Sequence, residues 1–260
     1  MPYADVAGGR LWYEAAGEGP PVVLLHAGIV DARMWDAQMR SFAPRHRVLR
    51  YDLRGFGRSD RPTGPWSETG DLAAVMDAAG IERAALVGNS LGGLVAIDFA
   101  IERPERVDAL VLVASALRGY GFDDGATPEQ ARRWEEAEER GDLEAMAEID
   151  LELWAPLGGD GGVREMVLDN ARLNVMTGRP ERPDTPAVEW LDRIEVPALV
   201  VTGSEDVSAM DEIADVLVSR IPRARKVVVD GADHLVPLRQ PAAFDAVVLD
   251  FLARVAQSGR

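Results

Sequence analysis

No cysteine occurs in the chain, which removes disulfides, thiolate nucleophiles and cysteine-ligated metals from its chemistry. Lysine is nearly absent too: Lys226 is the single one, so Schiff-base formation or a lysine general base has no residue elsewhere. Histidine is limited to His26, His46 and His234, a short inventory for any imidazole base. Basic charge is scarce, with 28 Lys and Arg against 44 Asp and Glu and a formal net charge of -16. That balance argues against nucleic acid or an anionic membrane as a partner, since both need a basic face. No apolar run approaches the roughly 18 residues of a membrane helix. Met1 to Arg10 also lacks a basic stretch followed by an apolar one, so no leader is visible. The expectation is a soluble, cytoplasmic protein with a small-molecule substrate, no nucleic-acid or membrane partner, and no oligomeric state fixed by sequence.

What is present is an alternation of short apolar runs with helical periodicities. Strands are expected at Arg10–Ala15, Val22–Leu25, Val48–Tyr51, Ala84–Val87, Val107–Val113, Ala198–Thr202 and Lys226–Val229. Helices are expected between them, and Phe244–Val255 closes the chain with one apolar face. This rhythm predicts an α/β fold with a mostly parallel, doubly wound sheet covered on both faces. From Leu117 to about Arg193 the rhythm breaks. Thr127-Pro128-Glu129-Gln130 is a capping box with proline at the first helical position, and Gly141 ends the helix that follows. Asp142 caps a second helix that stops at Pro156, and a glycine-rich linker leads to a third, Val163 to Met176. The predicted organisation is a core of residues 1–116 and 191–260 with a helical cap inserted at 117–190, lying over the sheet.

The centre of the pattern is Gly88-Asn89-Ser90-Leu91-Gly92, where a strand turns sharply into a helix. A chain reversing around one residue brings its neighbours two positions away close to it. Glycine at 88 and 92 removes the clash, leaving Ser90 strained at the apex with its hydroxyl above the sheet. Leu91 then offers an N–H at a helix N-terminus. A phosphate cradle fits less well, because no lysine and no G-x-G-x-x-G spacing accompany the turn.

A serine hydroxyl needs a base, and the base needs a carboxylate to hold its tautomer. Asp206 follows a later strand and His234 the last, so Ser90, Asp206 and His234 all stand at C-terminal strand ends. His46 precedes its strand and sits at the opposite end of the sheet, roughly 17 Å away. His26, in the loop after the second run, reads as shaping that loop. Glu205 and Asp233 are the neighbouring rivals for the acid, and only one of Glu205 and Asp206 should reach the imidazole. Asp52, Arg54 and Ser59 read as loop ties made by charge-assisted bonds. Trp134, Trp154, Met166, Asn170 and Met176 in the cap are candidates for the substrate wall, with about half expected to be packing.

Taken together, His26-Ala27-Gly28, Asp52-Leu53-Arg54-Gly55-Phe56-Gly57-Arg58-Ser59, the serine turn, Gly203-Ser204-Glu205-Asp206 and Gly231-Ala232-Asp233-His234 resemble the α/β-hydrolase superfamily, in its group of small bacterial cap-bearing hydrolases. The resemblance implies Ser90 as nucleophile, Asp206 as acid and His234 as base. It implies an oxyanion hole from the N–H groups of Leu91 and Gly28, and no cofactor or metal. Ala27 and Asp233 stand where the family usually has glycine. The activity it implies is hydrolysis of a small, mainly apolar carboxylic ester or lactone through an acyl-enzyme. A carbon–carbon bond hydrolase of vinylogous diketones shares the Gly-Asn-Ser turn, although His26-Ala27-Gly28-Ile29-Val30 lacks the Gly-Pro-Gly run of that branch. A non-hydrolytic receptor or biosynthetic catalyst on the same fold is the alternative of another class.

Overall fold

The computed structural model describes residues 2–121, 125–159, 162–173 and 186–258. In chain order these form β1 (Tyr3–Val6), β2 (Gly9–Ala16), β3 (Pro21–Leu25), α1 (Asp36–Phe42), β4 (Arg47–Tyr51), α2 (Glu68–Ala78), β5 (Ala84–Asn89), α3 (Leu91–Glu102) and β6 (Val107–Val113). There follow α4 (Pro128–Arg140), α5 (Leu143–Trp154), α6 (Val163–Leu173), β7 (Ala198–Gly203), α7 (Ser208–Arg220), β8 (Ala224–Val229), α8 (Val236–Arg239) and α9 (Pro241–Ser258). One eight-stranded sheet results, in the order β1-β2-β4-β3-β5-β6-β7-β8. It is parallel from β4 to β8 and antiparallel at the β1–β2 and β2–β4 pairs.

The unbroken apolar runs are explained by burial on both faces. Because side chains alternate along a strand, Val23, Leu25, Leu86, Leu110, Leu112 and Val200 enter one apolar cluster. Val22, Leu24, Val87, Val111, Val113 and Val201 enter the other. Helices α2, α3 and α7 cover the first face through Leu72, Ile97 and Ile213. On the second, α1 and α9 contribute Phe42, Phe244 and Val248. Fully covered parallel strands read as continuous hydrophobic stretches for this reason.

Two elements lie outside the sequence expectation. Strand β1 joins β2 across a tight turn, with Val6 paired to Gly9 and Gly8 at φ 75°. It is short, polar at Asp5 and half-exposed, so it carries no apolar run. Helix α8 is a single turn after the His234 loop, too short to show a period.

Between β6 and β7 the three inserted helices pack in succession, α4 on α5 and α5 on α6. Their ends follow the predicted caps: the Thr127–Gln130 capping box is made, Gly141 is left-handed at φ 63°, and Asp142 accepts from Ala145 N–H at 3.1 Å. The chain leaves and re-enters the core at one place, where Val188 N–H donates to Arg118 O at 3.1 Å. Arg118 there bridges Glu68 and Asp98, at 2.6 Å each. No described helix is long and apolar enough to cross a membrane. The expected end of the third helix, at Met176, lies outside the described residues.

Candidate active site

Ser90 stands between β5 and α3 at φ 53° and ψ -112°, a conformation that costs a non-glycine residue on the order of 1–3 kcal/mol. The turn holds it there through Ser90 N–H to Val113 O at 2.9 Å and Leu94 N–H to Ser90 O at 3.0 Å. A Cβ on Gly88 would lie 2.3 Å from Gly92 O, and one on Gly92 2.3 Å from Leu25 O. The obstructing atoms are backbone and cannot swing away, so neither position tolerates a side chain. Helix α3 begins at Leu91, whose N–H falls in the first turn, where no intrahelical acceptor exists.

The loops after β7 and β8 are fastened to each other. Glu205 N–H donates to Ala232 O at 2.9 Å, Gly231 N–H to Ser204 Oγ at 2.9 Å, and a Cβ on Gly203 would strike Ala232 O at 2.2 Å. This stacking brings Asp206 and His234 together. His234 Nδ1 donates to Asp206 Oδ2 at 3.1 Å, both side chains being only 4% exposed. Val207 N–H fixes the other carboxylate oxygen at 2.8 Å, while Glu205 points to solvent. The loop of His234 is tied to the serine turn by Asn89, whose amide donates to His234 O and to Val113 O, each at 3.1 Å. Ser90 Oγ itself makes no hydrogen bond to a described residue. Catalytic contacts of this kind commonly tighten when substrate binds.

Gly28 lies beside Leu91, since a Cβ on it would sit 3.6 Å from Leu91 Cδ2. Its loop is shaped by His26, which is fully buried. Leu53 N–H donates to His26 Nε2 at 2.9 Å, so the proton is on Nδ1, which donates to Ala27 O at 2.8 Å. Burial pushes the imidazole pKa down and keeps it neutral, although Asp52 opposes the shift. Asp52 accepts from Ala32 and Arg58 N–H groups at 2.9 Å. Arg54 forks onto Asp71, and Ser59 Oγ donates to Asp52 O at 2.6 Å. These residues join loops. His46, at the far end of the sheet, contacts Pro20 O through Nδ1 at 3.3 Å.

The cap residues separate into different fates. A cavity of about 630 Å³ lies under the insertion, with Trp134, Asn170 and Gly28 on its wall. Met166 is not on that wall; it is buried in the apolar cluster that also holds Leu151, Val163 and Val167, the packing role expected for about half of these candidates. Asn170 lies on the wall, and its polar groups are taken up within the protein. Its amide donates to Asp31 Oδ2 at 3.0 Å and Met166 O at 2.7 Å, and accepts from Gly57 N–H at 3.0 Å, so it tethers α6 to two loops of the core. Trp154 lies with its ring 4.7 Å from the His234 ring. Met176 is outside the described residues.

Asp233, adjoining the base, has a role the sequence did not reveal. It accepts from Leu235 N–H at 3.1 Å, from Arg239 Nε at 2.9 Å and from Leu157 N–H of the insertion at 3.3 Å. Arg239 also donates to Gly158 O. The His234 loop and the segment after the second inserted helix are thereby joined through one buried ion pair. Only the glycine usual at 233 hinted at it.

A family model of the alpha/beta hydrolase fold matches residues 20–241. The provisionally named carbamate hydrolase RutD of Azorhizobium caulinodans is 32% identical over 274 residues, covering 99% of this chain and all of that protein. The enol-lactonase of Burkholderia xenovorans LB400 superposes with a TM-score of 0.77 at 29% identity, covering 97% of this chain and 100% of that one. A thermophilic esterase of Thermogutta terrifontis, solved with malate bound, gives 0.78 at 26% identity over 98% and 99% of the two chains.

Proposed function

The chain belongs to the alpha/beta hydrolase family, and we propose that it is a serine hydrolase of small, mainly apolar carboxylic esters or lactones. The observation that carries this reading is the buried Asp206–His234 hydrogen bond on a loop anchored beside the strained Ser90 turn. Enol-lactone and ester chemistry among the structural relatives supports the substrate class.

Ser90 Oγ attacks the carbonyl carbon while its proton passes to His234 Nε2, and Asp206 stabilises the imidazolium through Nδ1. The oxyanion of the tetrahedral intermediate takes the N–H groups of Leu91 and Gly28, where a single donor is worth on the order of 100-fold or more in rate. Collapse expels the alcohol, which takes its proton from His234. Water then enters by the same route in reverse order and releases the acid. Trp154 against the His234 ring excludes water from one side of the base. In a lactone, the leaving alcohol stays attached to the acyl group.

The test is chemical. A fluorophosphonate should label Ser90, short-chain nitrophenyl esters should give a burst followed by steady turnover, and Ser90→Ala should lose both. Absence of label and of burst would refute the assignment. Tight ligand binding without turnover, unchanged in Ser90→Ala, would favour a receptor instead.

A further inference from the structure

Among the described residues, buried carboxylates have partners. Asp31 is held by Arg33 and Asn170, Asp52 by two backbone N–H groups, Asp71 by Arg54, Asp98 by Arg118, Asp206 by His234 and Asp233 by Arg239. Asp150 breaks the rule. It is half-buried on the wall of the cavity under the insertion, and no described residue offers it a hydrogen bond or a cation. Its neighbours on α5 do have partners: Glu148 pairs with Arg164 and Glu152 with Arg133.

Position makes the exception meaningful. Met146, Asp150 and Trp154 recur at four-residue spacing and so share one face of α5. Trp154 at the end of that stripe meets the His234 ring, and Asp150 and Met146 line the cavity one and two turns back. The opposite wall is the Gly28–Ile29 loop, next to Leu91 and the serine turn. The other charged residue on the described wall is Glu138 of α4, at its exposed edge, and none is basic. A carboxylate without a partner, on a wall where Trp134, Met146, Ile29, Leu143 and Val167 are apolar and the Asn170 amide is already engaged, is expensive unless the ligand completes it.

We propose that Asp150 is a specificity-determining residue that pairs with a protonated amine carried by the substrate, so that amino esters or amino lactones are preferred over their uncharged isosteres. The proposal rests on the hydrolase reading given above. Burial pushes the Asp150 carboxyl up to about 6, which still leaves it ionised at neutral pH and able to hold an ammonium group.

Two matched ester series test this, one with a terminal amine on the acyl chain and one with it on the alcohol. Each is compared at pH 7.5 with the isostere that has methyl in place of the amine. The expected result is a preference in kcat/KM of about tenfold or more for the amine in one series, carried mainly by KM. Asp150→Asn should abolish the preference, and Asp150→Glu should restore part of it. Cooperative melting of each variant controls for folding. If methyl esters are turned over but the amine gives no advantage, or gives the same advantage in Asp150→Asn, this inference falls and the hydrolase reading stands. If no ester is turned over, calorimetric binding of hexylammonium against hexanol decides: tighter ammonium binding lost in Asp150→Asn supports the inference, and equal binding overturns it.

Discussion

Replacing Asp150 with asparagine should stabilise the protein in a pH-dependent way, and the size of the effect follows from its surroundings. An aspartate carboxyl has an ordinary value near 3.8; burial in the cavity pushes it to about 6. Below pH 4 both folded and unfolded chains are protonated at this position, and little differs. Between pH 4 and 6 the folded chain retains a proton that the unfolded chain has released, so rising pH favours unfolding. Above pH 6 the full cost applies, up to about 3 kcal/mol. About half of it is present at pH 5. Asparagine has nearly the same shape and no charge, so its own fit adds an offset that does not vary with pH. The stability gained by Asp150→Asn should therefore grow by about 1.5 kcal/mol from pH 5 to pH 7.5. For a chain of this size that is roughly 3–6 °C in melting temperature. Urea titration of both proteins at the two pH values measures it. Asp98, likewise raised to about 6 by burial against the pull of Arg118, titrates identically in both and cancels. Buried His26, with its lowered value, cancels as well. A difference that stays flat or shrinks between pH 5 and 7.5 would refute the picture of an ionised carboxylate without a partner.

Other perturbations have defined outcomes. Asp206→Asn should lower kcat on an ester by on the order of 10⁴ while leaving the melting curve nearly unchanged, because the imidazole loses the group that sets its tautomer. Gly203→Ala should give no stable protein by circular dichroism, since its Cβ would overlap Ala232 O at 2.2 Å. Asn170→Leu should cost about 1–3 kcal/mol in urea unfolding by leaving Gly57 N–H unpaired and Asp31 short of a donor. Arg239→Met should cost about 3–5 kcal/mol, because Asp233 is left as a buried charge, and should raise hydrogen exchange at Leu157.

The sheet was legible because its signals are local and repeated. Strands buried on both faces have to be apolar at every position, and β3, β5, β6 and β7 lie within a residue or two of where the runs put them. The turn at Ser90 was legible for a stricter reason: a Cβ at Gly88 or Gly92 would fall 2.3 Å from a backbone oxygen, so each position admits one residue type. Asp206 was separable from Glu205 by position after Gly203, and the structure joins Asp206 to His234. Strand β1 escaped because an exposed edge needs no apolar run, and pairing with β2 is decided by the two-residue turn between them.

The insertion shows where such reading stops. Trp134, Trp154, Met166 and Asn170 all sit on periodic helix faces, yet Trp134 lines the cavity, Trp154 covers the imidazole, Met166 is core, and Asn170 lines the cavity while tying α6 to loops more than a hundred residues away. Periodicity says that a face is covered, not by what. A polar side chain on such a face is satisfied or not according to which distant segment meets it: on the wall of one cavity, Asn170 of α6 finds Asp31 and Gly57, while Asp150 of α5 finds no described partner. The same acidic residue on a helix face is structural when its neighbour is an arginine and selective when its neighbour is a ligand. On the proposed hydrolase reading, the core would fix where a carbonyl is attacked, and the crossing of the three inserted helices would decide what is attached to it.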